Sequence, residues 1–250
     1  MAFVAFLQIL VCVLILIWML KRKTGNAFSR KAIAKYLLFG AISLVIVLVL
    51  GAFSIQKDTF FHLNPVLCGF LTAFLTAALP EEASKYILFR LSLVHDKEAV
   101  NWHDVILVCI MIGMGFTFAE GLEFAAVGGA NIIRAFIPAH LLFQAVMGYY
   151  YGKARVTKKA GWHVMSFGIP LLLHTLFDMF IIGLISIVGE DPANLTEEAM
   201  KTGPYAGYII PMTAAIIIVA VLTVVALILV LRKIAVWSKT GEKQELLREN

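Results

Sequence analysis

Seven runs of about twenty apolar residues follow one another along this 250-residue chain. In helical form, at ~1.5 Å per residue, a run of that length matches the ~30 Å hydrocarbon core of a bilayer. Because a backbone exposed to lipid must satisfy its own hydrogen bonds, such runs are expected to be transmembrane helices. The predicted spans are residues 2–20, 36–56, 66–90, 105–126, 133–152, 163–188 and 208–231.

The composition supports this interpretation. The chain is 61% hydrophobic and 15% charged, with a mean hydropathy of +0.89, which leaves too little polar surface for a soluble domain. A β-barrel would show short alternating segments instead. We therefore predict an all-α polytopic membrane protein, with about seven transmembrane helices in one integral membrane domain (1–250). The three cysteines lie in apolar runs, so no disulfide framework is expected. A cleavable signal peptide is not expected either, because the first segment has no charged n-region and is followed directly by Lys21, Arg22 and Lys23.

The basic residues indicate how the chain crosses the membrane. The formal charge of +5 does not point to nucleic acid, because Lys and Arg lie in loops beside spans. Six lie between spans 1 and 2, four between spans 5 and 6 and five after span 7, whereas the loops of the opposite side carry three. By the positive-inside rule, the N-terminus is predicted to be outside and the tail (232–250) cytoplasmic.

Span 3 carries charged side chains where lipid-facing residues should be apolar. Glu81, Glu82 and Lys85 have i, i+3 and i, i+4 relations, so the lysine shares a helix face with both carboxylates. In a soluble helix this would be a surface salt-bridge ladder. Inside a membrane each charge costs at least ~2.5–3.5 kcal/mol, which favours a functional site. Pro80 predicts a kink or a helix start just before the carboxylates.

Spans 4 to 6 carry further ionisable groups. Glu120 and Glu123 lie on one face of span 4; Glu120 is the deeper, and Glu123 fits an interfacial position. His140 in span 5 is either a packing residue or a ligand. His174 and Asp178 in span 6 are one turn apart, so they can chelate a metal together, or the carboxylate can orient the imidazole.

The depths of these groups predict that they meet. Counted from the predicted helix ends, Glu120 and Asp178 lie ~23 Å, His174 ~17 Å and His140 ~20 Å from the cytoplasmic boundary. Glu81 comes out at ~14 Å; a tilt, a break at the preceding proline or a later helix end would close that gap. We predict one site in the middle-to-outer half of the membrane.

The ordered set of motifs resembles the PrsW family of intramembrane proteases, relatives of the CAAX-prenyl-protease, bacteriocin-processing and Abi (CPBP) group. The resemblance covers about residues 65–185, a four-helix catalytic core of spans 3 to 6. The usual pattern has Asn where Gly121 stands, which leaves Glu120 and Glu123 as alternatives for the functional carboxylate. The motifs are Glu81-Glu82-x-x-Lys85, Phe116-x-x-x-Glu120, His140-x7-Gly148 and His174-x-x-x-Asp178.

The resemblance implies hydrolysis of a peptide bond in a single-span membrane protein within a bacterial cell membrane, such as site-1 cleavage of an anti-sigma factor. Glu81 is the expected general base and Glu82 a further catalytic carboxylate, with Lys85 and Glu123 in supporting positions. A metal-free mechanism, in which glutamate activates the water, stays open. The expected ligands of a Zn²⁺ ion, or hydrogen-bond partners of the water and oxyanion, are Glu120, His140, His174 and Asp178.

Three other functions fit parts of the pattern. A CAAX-type prenyl-protein endopeptidase is disfavoured because the second motif ends in Glu120 rather than His and the fourth in Asp178 rather than Asn. A proton- or cation-coupled transporter also buries Glu, Asp and His, but no inverted repeat or pair of broken helices is visible. A degenerate relative that only binds other proteins would not need every ionisable position. The oligomeric state cannot be predicted.

Overall fold

The computed structural model describes residues 2–21, 28–51, 55, 57–94, 96–99, 101–127, 138–189 and 205–240. Long helices account for most of these residues, and a short 3₁₀ helix, Lys57–Phe60, precedes the third of them. Seven long helices occur in the described part of the chain: α1 (Ala2–Leu20), α2 (Arg30–Gly51), α3 (Pro65–Leu93), α4 (Trp102–Val127), α5 (Ala139–Thr157), α6 (Ala160–Val188) and α7 (Ala206–Thr240).

These helices occupy the seven predicted positions, so the all-α polytopic class is confirmed. By length and composition, five of the helices found among the described residues can cross a membrane: α2, α3, α4, α6 and α7. Helix α1 contributes a shorter apolar stretch, Ile9–Leu20, and α5 is largely buried by its neighbours. The last helix runs to Thr240, so it includes the first part of the predicted tail.

Helix α3 is continuous but changes its winding just before the carboxylates. Asn64 caps it by accepting a hydrogen bond from the Leu67 N–H at 3.0 Å, and the proline that follows suits a first helical turn. Residues Ala73–Ala78 form a π-helical segment, and the α-helix resumes at Leu79–Leu93. Pro80, which has no N–H to donate, lies in the first turn of that second part. The proline thus marks a change of helix type rather than a new start.

Helix α4 lies at the centre and packs against α2 and α5, while α3 packs against α6 and α6 against α5. Glycines allow two of these approaches. A Cβ on Gly115 would lie 2.0 Å from the Leu37 carbonyl oxygen of α2, and one on Gly69 of α3 would lie 2.0 Å from the Met179 carbonyl oxygen of α6. Small residues at such contacts let helix backbones meet in a membrane protein. The close packing holds α3 to α6 around one interior.

A polar clamp ties α2 to the connection between α3 and α4. The Asp96 carboxylate accepts hydrogen bonds from Lys35 Nζ at 2.8 Å and from the Tyr36 hydroxyl, and the backbone N–H groups of Glu98 and Ala99 donate to its other oxygen. Burial acts to raise the pKa of Asp96, but these donors outweigh it and lower that pKa from its ordinary value. The clamp fixes the ends of three helices on one side of the bundle.

Several sequence expectations concern residues that the structure does not describe. Most of the acidic loop between α6 and α7, the loop before α5 and the chain after Thr240 lie outside the described residues. The orientation with the N-terminus outside and the division into core and tail stay predictions.

Candidate active site

Four helices bring the predicted ionisable side chains together in the interior. Glu81, Glu82 and Lys85 come from α3, Glu120 from α4, His140 from α5, and His174 with Asp178 from α6. All seven residues are buried, and none is more than 8% exposed. Helix α3 ends at Leu93 rather than near Arg90, which moves Glu81 ~4.5 Å further from the helix end and towards the other groups.

The Lys85 ammonium contacts three members of this cluster. Its Nζ is 2.8 Å from Glu82 Oε1, 3.3 Å from Glu81 Oε2 and 3.2 Å from His140 Nδ1. It also lies 3.8 Å from the centre of the Phe116 ring, a cation–π distance. An ammonium has three N–H donors, and here three acceptors from two helices surround it. Lys85 therefore cross-links α3 to α5 and neutralises part of the carboxylate charge.

Glu82 accepts hydrogen bonds at both of its oxygens. Oε1 receives Nδ1–H of His174 at 2.9 Å in addition to Lys85, and Oε2 receives the side-chain amide of Gln144 at 2.8 Å. Its side chain has no solvent exposure. Glu82 is thus enclosed by three donors from three helices and has no free face towards a substrate.

Glu81 lies between the two imidazoles. Its Oε2 is 3.9 Å from Nε2 of His140 and 3.9 Å from Nε2 of His174. Glu120 and Asp178 complete the group: Glu120 Oε2 lies 3.2 Å from Nε2 of His140, and Asp178 Oδ2 lies 3.1 Å from Nε2 of His174. At 11%, the side chain of Glu81 is the most exposed of these five. It is the carboxylate that water reaches most easily.

The hydrogen-bond partners restrict the protonation of the two histidines. Lys85 can only donate, so Nδ1 of His140 accepts, and Nε2 of that neutral ring carries the proton that it gives to Glu120. His174 is the reverse: Nδ1 donates to the Glu82 carboxylate, so Nε2 is the nitrogen left for a ligand. This Nε2 faces only carboxylate oxygens among its described contacts. A proton or a cation must lie between them.

The site fits a divalent cation on charge as well as on donor type. Its carboxylates outnumber its ammonium by four to one, which leaves three negative charges for protons or a metal to balance. Nitrogen and carboxylate-oxygen donors suit Zn²⁺. Among the described residues, donor atoms of one group all lie within 4.8 Å of one another: Glu81, Glu82, His140 and His174. This group contains two of the four ligands predicted from the sequence, His140 and His174, together with Glu81 and Glu82. The other two predicted ligands, Glu120 and Asp178, are not in it, but each contacts one of the histidines.

Two aromatic rings pack against the imidazoles. Phe143 stacks on His174 with ring centres 5.0 Å apart, and Phe116 meets His140 edge-on at 4.9 Å. Glu123, by contrast, is half-buried and takes part in none of the site contacts described above. Of the two alternatives on α4, the geometry therefore favours Glu120.

Gln144 was not among the residues predicted from the sequence, because an uncharged side chain in a span does not stand out as an ionisable one does. Its spacing was the available signal: Gln144 lies four residues after His140, on the same face of α5. Phe143 was not predicted either; it lies between those two residues and packs against His174 of the neighbouring helix. Nothing in an apolar helix distinguishes such a phenylalanine from a packing residue.

Comparison with known proteins gives this geometry a family. A family model described as PrsW family intramembrane metalloprotease matches residues 29–202. The chain belongs to the PrsW family. It is therefore an intramembrane metalloprotease, a hydrolase by class, and the resemblance seen in the sequence is confirmed. The match includes all four helices of the cluster.

Individual relatives agree with this assignment. The chain is 27% identical over 190 residues to Protease PrsW of Clostridioides difficile, a match that covers 70% of this chain and 79% of that protein. It is 29% identical over 156 residues to Protease PrsW of Halalkalibacterium halodurans, covering 60% and 70%. With Protease PrsW of Oceanobacillus iheyensis it shares 31% over 123 residues, 47% of this chain and 57% of that protein. No solved structure matches the chain at a significant level.

Proposed function

We propose that this PrsW-family protein cleaves a peptide bond in a single-span membrane protein, next to or within the membrane. The observation that carries the proposal is the position of Glu81, whose Oε2 lies 3.9 Å from the Nε2 atoms of both His140 and His174 inside a helical membrane protein. A hydrolase needs a proton acceptor for water and a proton donor for the leaving amine in one place. A carboxylate between two imidazoles can supply both.

We propose Glu81 as the general base. It takes a proton from the attacking water, holds it at Oε2 and passes it to the nitrogen of the cleaved bond. Its greater exposure supports this role, since Glu82, its neighbour on α3, is enclosed by three donors. Nε2–H of His140, which is directed to the same region, is the proposed donor to the oxyanion that forms at the carbonyl.

Of the four ligands predicted from the sequence, His174 through Nε2, Asp178 and Glu120 are the residues proposed to hold a metal. His140, whose Nε2 carries a proton, takes the alternative role of oxyanion donor. A bound Zn²⁺ would polarise the carbonyl and make a water more acidic. Glu82 keeps His174 oriented by accepting its Nδ1–H, as carboxylates do behind metal-binding histidines. Lys85 fixes the positions of both α3 carboxylates.

The proposed substrate is a bacterial membrane protein with one span and an outer domain, for example an anti-sigma factor cut at its first site. The site lies towards the ends of α4 and α5 that the positive-inside rule places outside. Because the groups nearest solvent are Glu81, His140 and Glu120, we propose that substrate and water enter from that outer side.

The test compares new protein N-termini in membranes of bacterial cells that express the wild type, Glu81→Gln or the matched control Glu123→Gln. We expect one or more single-span proteins to be cut near their membrane segment by the wild type and the control, and not by Glu81→Gln. If Glu81→Gln yields the same fragments, Glu81 is not the base. If no variant yields fragments but sealed vesicles show ion flux, a transporter replaces the protease.

A further inference from the structure

Gln144 is a buried polar side chain that the proposed chemistry does not use directly. It lies on α5 with no solvent exposure. Its amide nitrogen donates to Glu82 Oε2 at 2.8 Å, and its amide oxygen accepts from the Cys109 thiol at 3.2 Å. A carboxylate accepts only, so this contact fixes which end of the amide faces Glu82. Both polar ends of Gln144 are therefore committed.

Helix α4 is shaped to receive this side chain. A Cβ on Gly113 would lie 2.5 Å from Cγ of Gln144, so a larger residue there would displace it. Cys109, one turn earlier on α4, presents its thiol to the amide oxygen. Gly113 leaves space for the glutamine, and the Cys109 thiol fixes its amide oxygen. We call these two residues the socket of Gln144. Held in this socket, Gln144 donates its amide N–H to Glu82.

Glu82 in turn determines the orientation of His174. Its Oε1 receives Nδ1–H of the imidazole at 2.9 Å and Lys85 at 2.8 Å. Without a donor at Oε2, the carboxylate could rotate about its terminal bond and change how it meets the imidazole. The contact with Gln144 opposes that rotation. Cys109, Gln144, Glu82 and His174 thus form a chain from α4 through α5 and α3 to α6.

We propose that Gln144 is a positioning residue for catalysis: through Glu82 it holds His174 with Nε2 directed to Glu81 and Asp178. This inference rests on the proposed peptidase function. Gln144 does not touch the reacting atoms, and it acts by keeping one hydrogen bond in place. Outer partners of this kind typically change activity or metal affinity by ~10–100-fold when they are lost.

Gln144→Met tests this because it keeps the length of the side chain and removes both polar ends. The substrate for this assay is the single-span protein identified by the comparison of new N-termini described above. Relative to the purified wild type, we expect Gln144→Met to have a kcat about 10–100-fold lower, with KM unchanged. Zinc affinity of the purified protein should fall in parallel, since His174 is a proposed ligand. The midpoint of thermal unfolding reports whether the fold is intact.

A double-mutant cycle separates positioning from packing. If Gln144 acts only through Glu82, adding Gln144→Met to Glu82→Gln costs no further activity beyond about twofold, which is the usual error of additive effects. Losses that add in full, or a Gln144→Met protein with kcat within about twofold of wild type, would overturn the proposal. The proposal would also be overturned if Gln144→Met lost activity only because a matching fraction of the protein was unfolded, as judged from its unfolding temperature.

A second pair of variants covers the case in which Gln144→Met does not fold. Cys109→Ser keeps a donor to the amide oxygen and should retain the wild-type kcat, whereas Cys109→Ala removes the donor and should lower kcat. Equal rates for the two would contradict the positioning role. If the wild type itself cuts no substrate, the proposed peptidase function fails. If the wild type cleaves and the variants cleave equally well, the peptidase function stands and only the positioning role of Gln144 fails.

Discussion

Replacing Lys85 with Met should destabilise this protein more than any exposed lysine can. The change removes the ammonium shared by Glu82 at 2.8 Å and Glu81 at 3.3 Å, and neither Lys85 nor Glu82 has any exposed side-chain surface. Water therefore cannot replace the lost partner. Removing one member of a buried ion pair costs ~3–5 kcal/mol, because an uncompensated charge is left behind.

That cost in stability corresponds to a fall in the melting temperature. For chains of 150–250 residues, ~1 kcal/mol corresponds to ~2–4 °C, so Lys85→Met should unfold roughly 6–20 °C below wild type. The chain supplies its own probe, because Cys12, Cys68 and Cys109 are free and buried. A thiol-reactive fluorophore in detergent solution will report their exposure as the temperature rises.

Two further variants make the assay decisive. Lys159→Met changes an exposed lysine between α5 and α6 and should leave the unfolding temperature within ~2 °C of wild type. Adding Glu82→Gln to Lys85→Met removes one of the stranded charges and should recover part of the loss. If Lys85→Met unfolds within ~2 °C of wild type, the buried ion pair does not have the role that its geometry indicates.

Three other predictions concern different parts of the molecule. Glu120→Gln should lower the rate of substrate cleavage at least about 10-fold, because it replaces the charged carboxylate that accepts from the His140 ring with a neutral amide. Glu123→Gln should cleave at the wild-type rate. Gly115→Ala should reduce the yield of folded protein in detergent, because the new Cβ would lie 2.0 Å from a backbone carbonyl oxygen of α2, whereas Gly168→Ala adds a methyl into open space and should not. The lowered pKa of Asp96 means that its stabilising contribution is present at neutral pH and is lost as the pH falls through that pKa; the unfolding temperature of wild type should therefore fall more between about pH 7 and about pH 3 than that of an Asp96→Asn variant.

The helices were largely predictable because apolar runs of membrane length have one stable conformation in lipid. The residues at which the helices begin and end were harder to predict. Helix α2 begins at Arg30 rather than residue 36, since basic residues extend it into water where hydropathy gives no signal. Helix α3 continues past Arg90 to Leu93. The position of Glu81 relative to the histidines depended on that end, which is why its predicted depth differed from theirs.

The candidate site was predictable as a set of residues but not as a network. A charge inside a span is costly enough to identify Glu81, Glu82 and Asp178 from sequence alone. Which oxygen meets which nitrogen depends on helix rotation and on contacts such as that of Gln144, an uncharged residue that carries no such cost. For that reason the enclosure of Glu82 and the position of Glu81 beside the imidazoles could not be predicted.

Metal content and peptide cleavage, measured on the same purified samples, test the central claim most directly. The samples are wild type, Glu81→Gln and His174→Ala in detergent, each with the single-span substrate. We expect about one zinc per wild-type chain, loss of both metal and cleavage in His174→Ala, and loss of cleavage alone in Glu81→Gln. Cleavage that persists in both variants, whatever their metal content, would contradict the central claim.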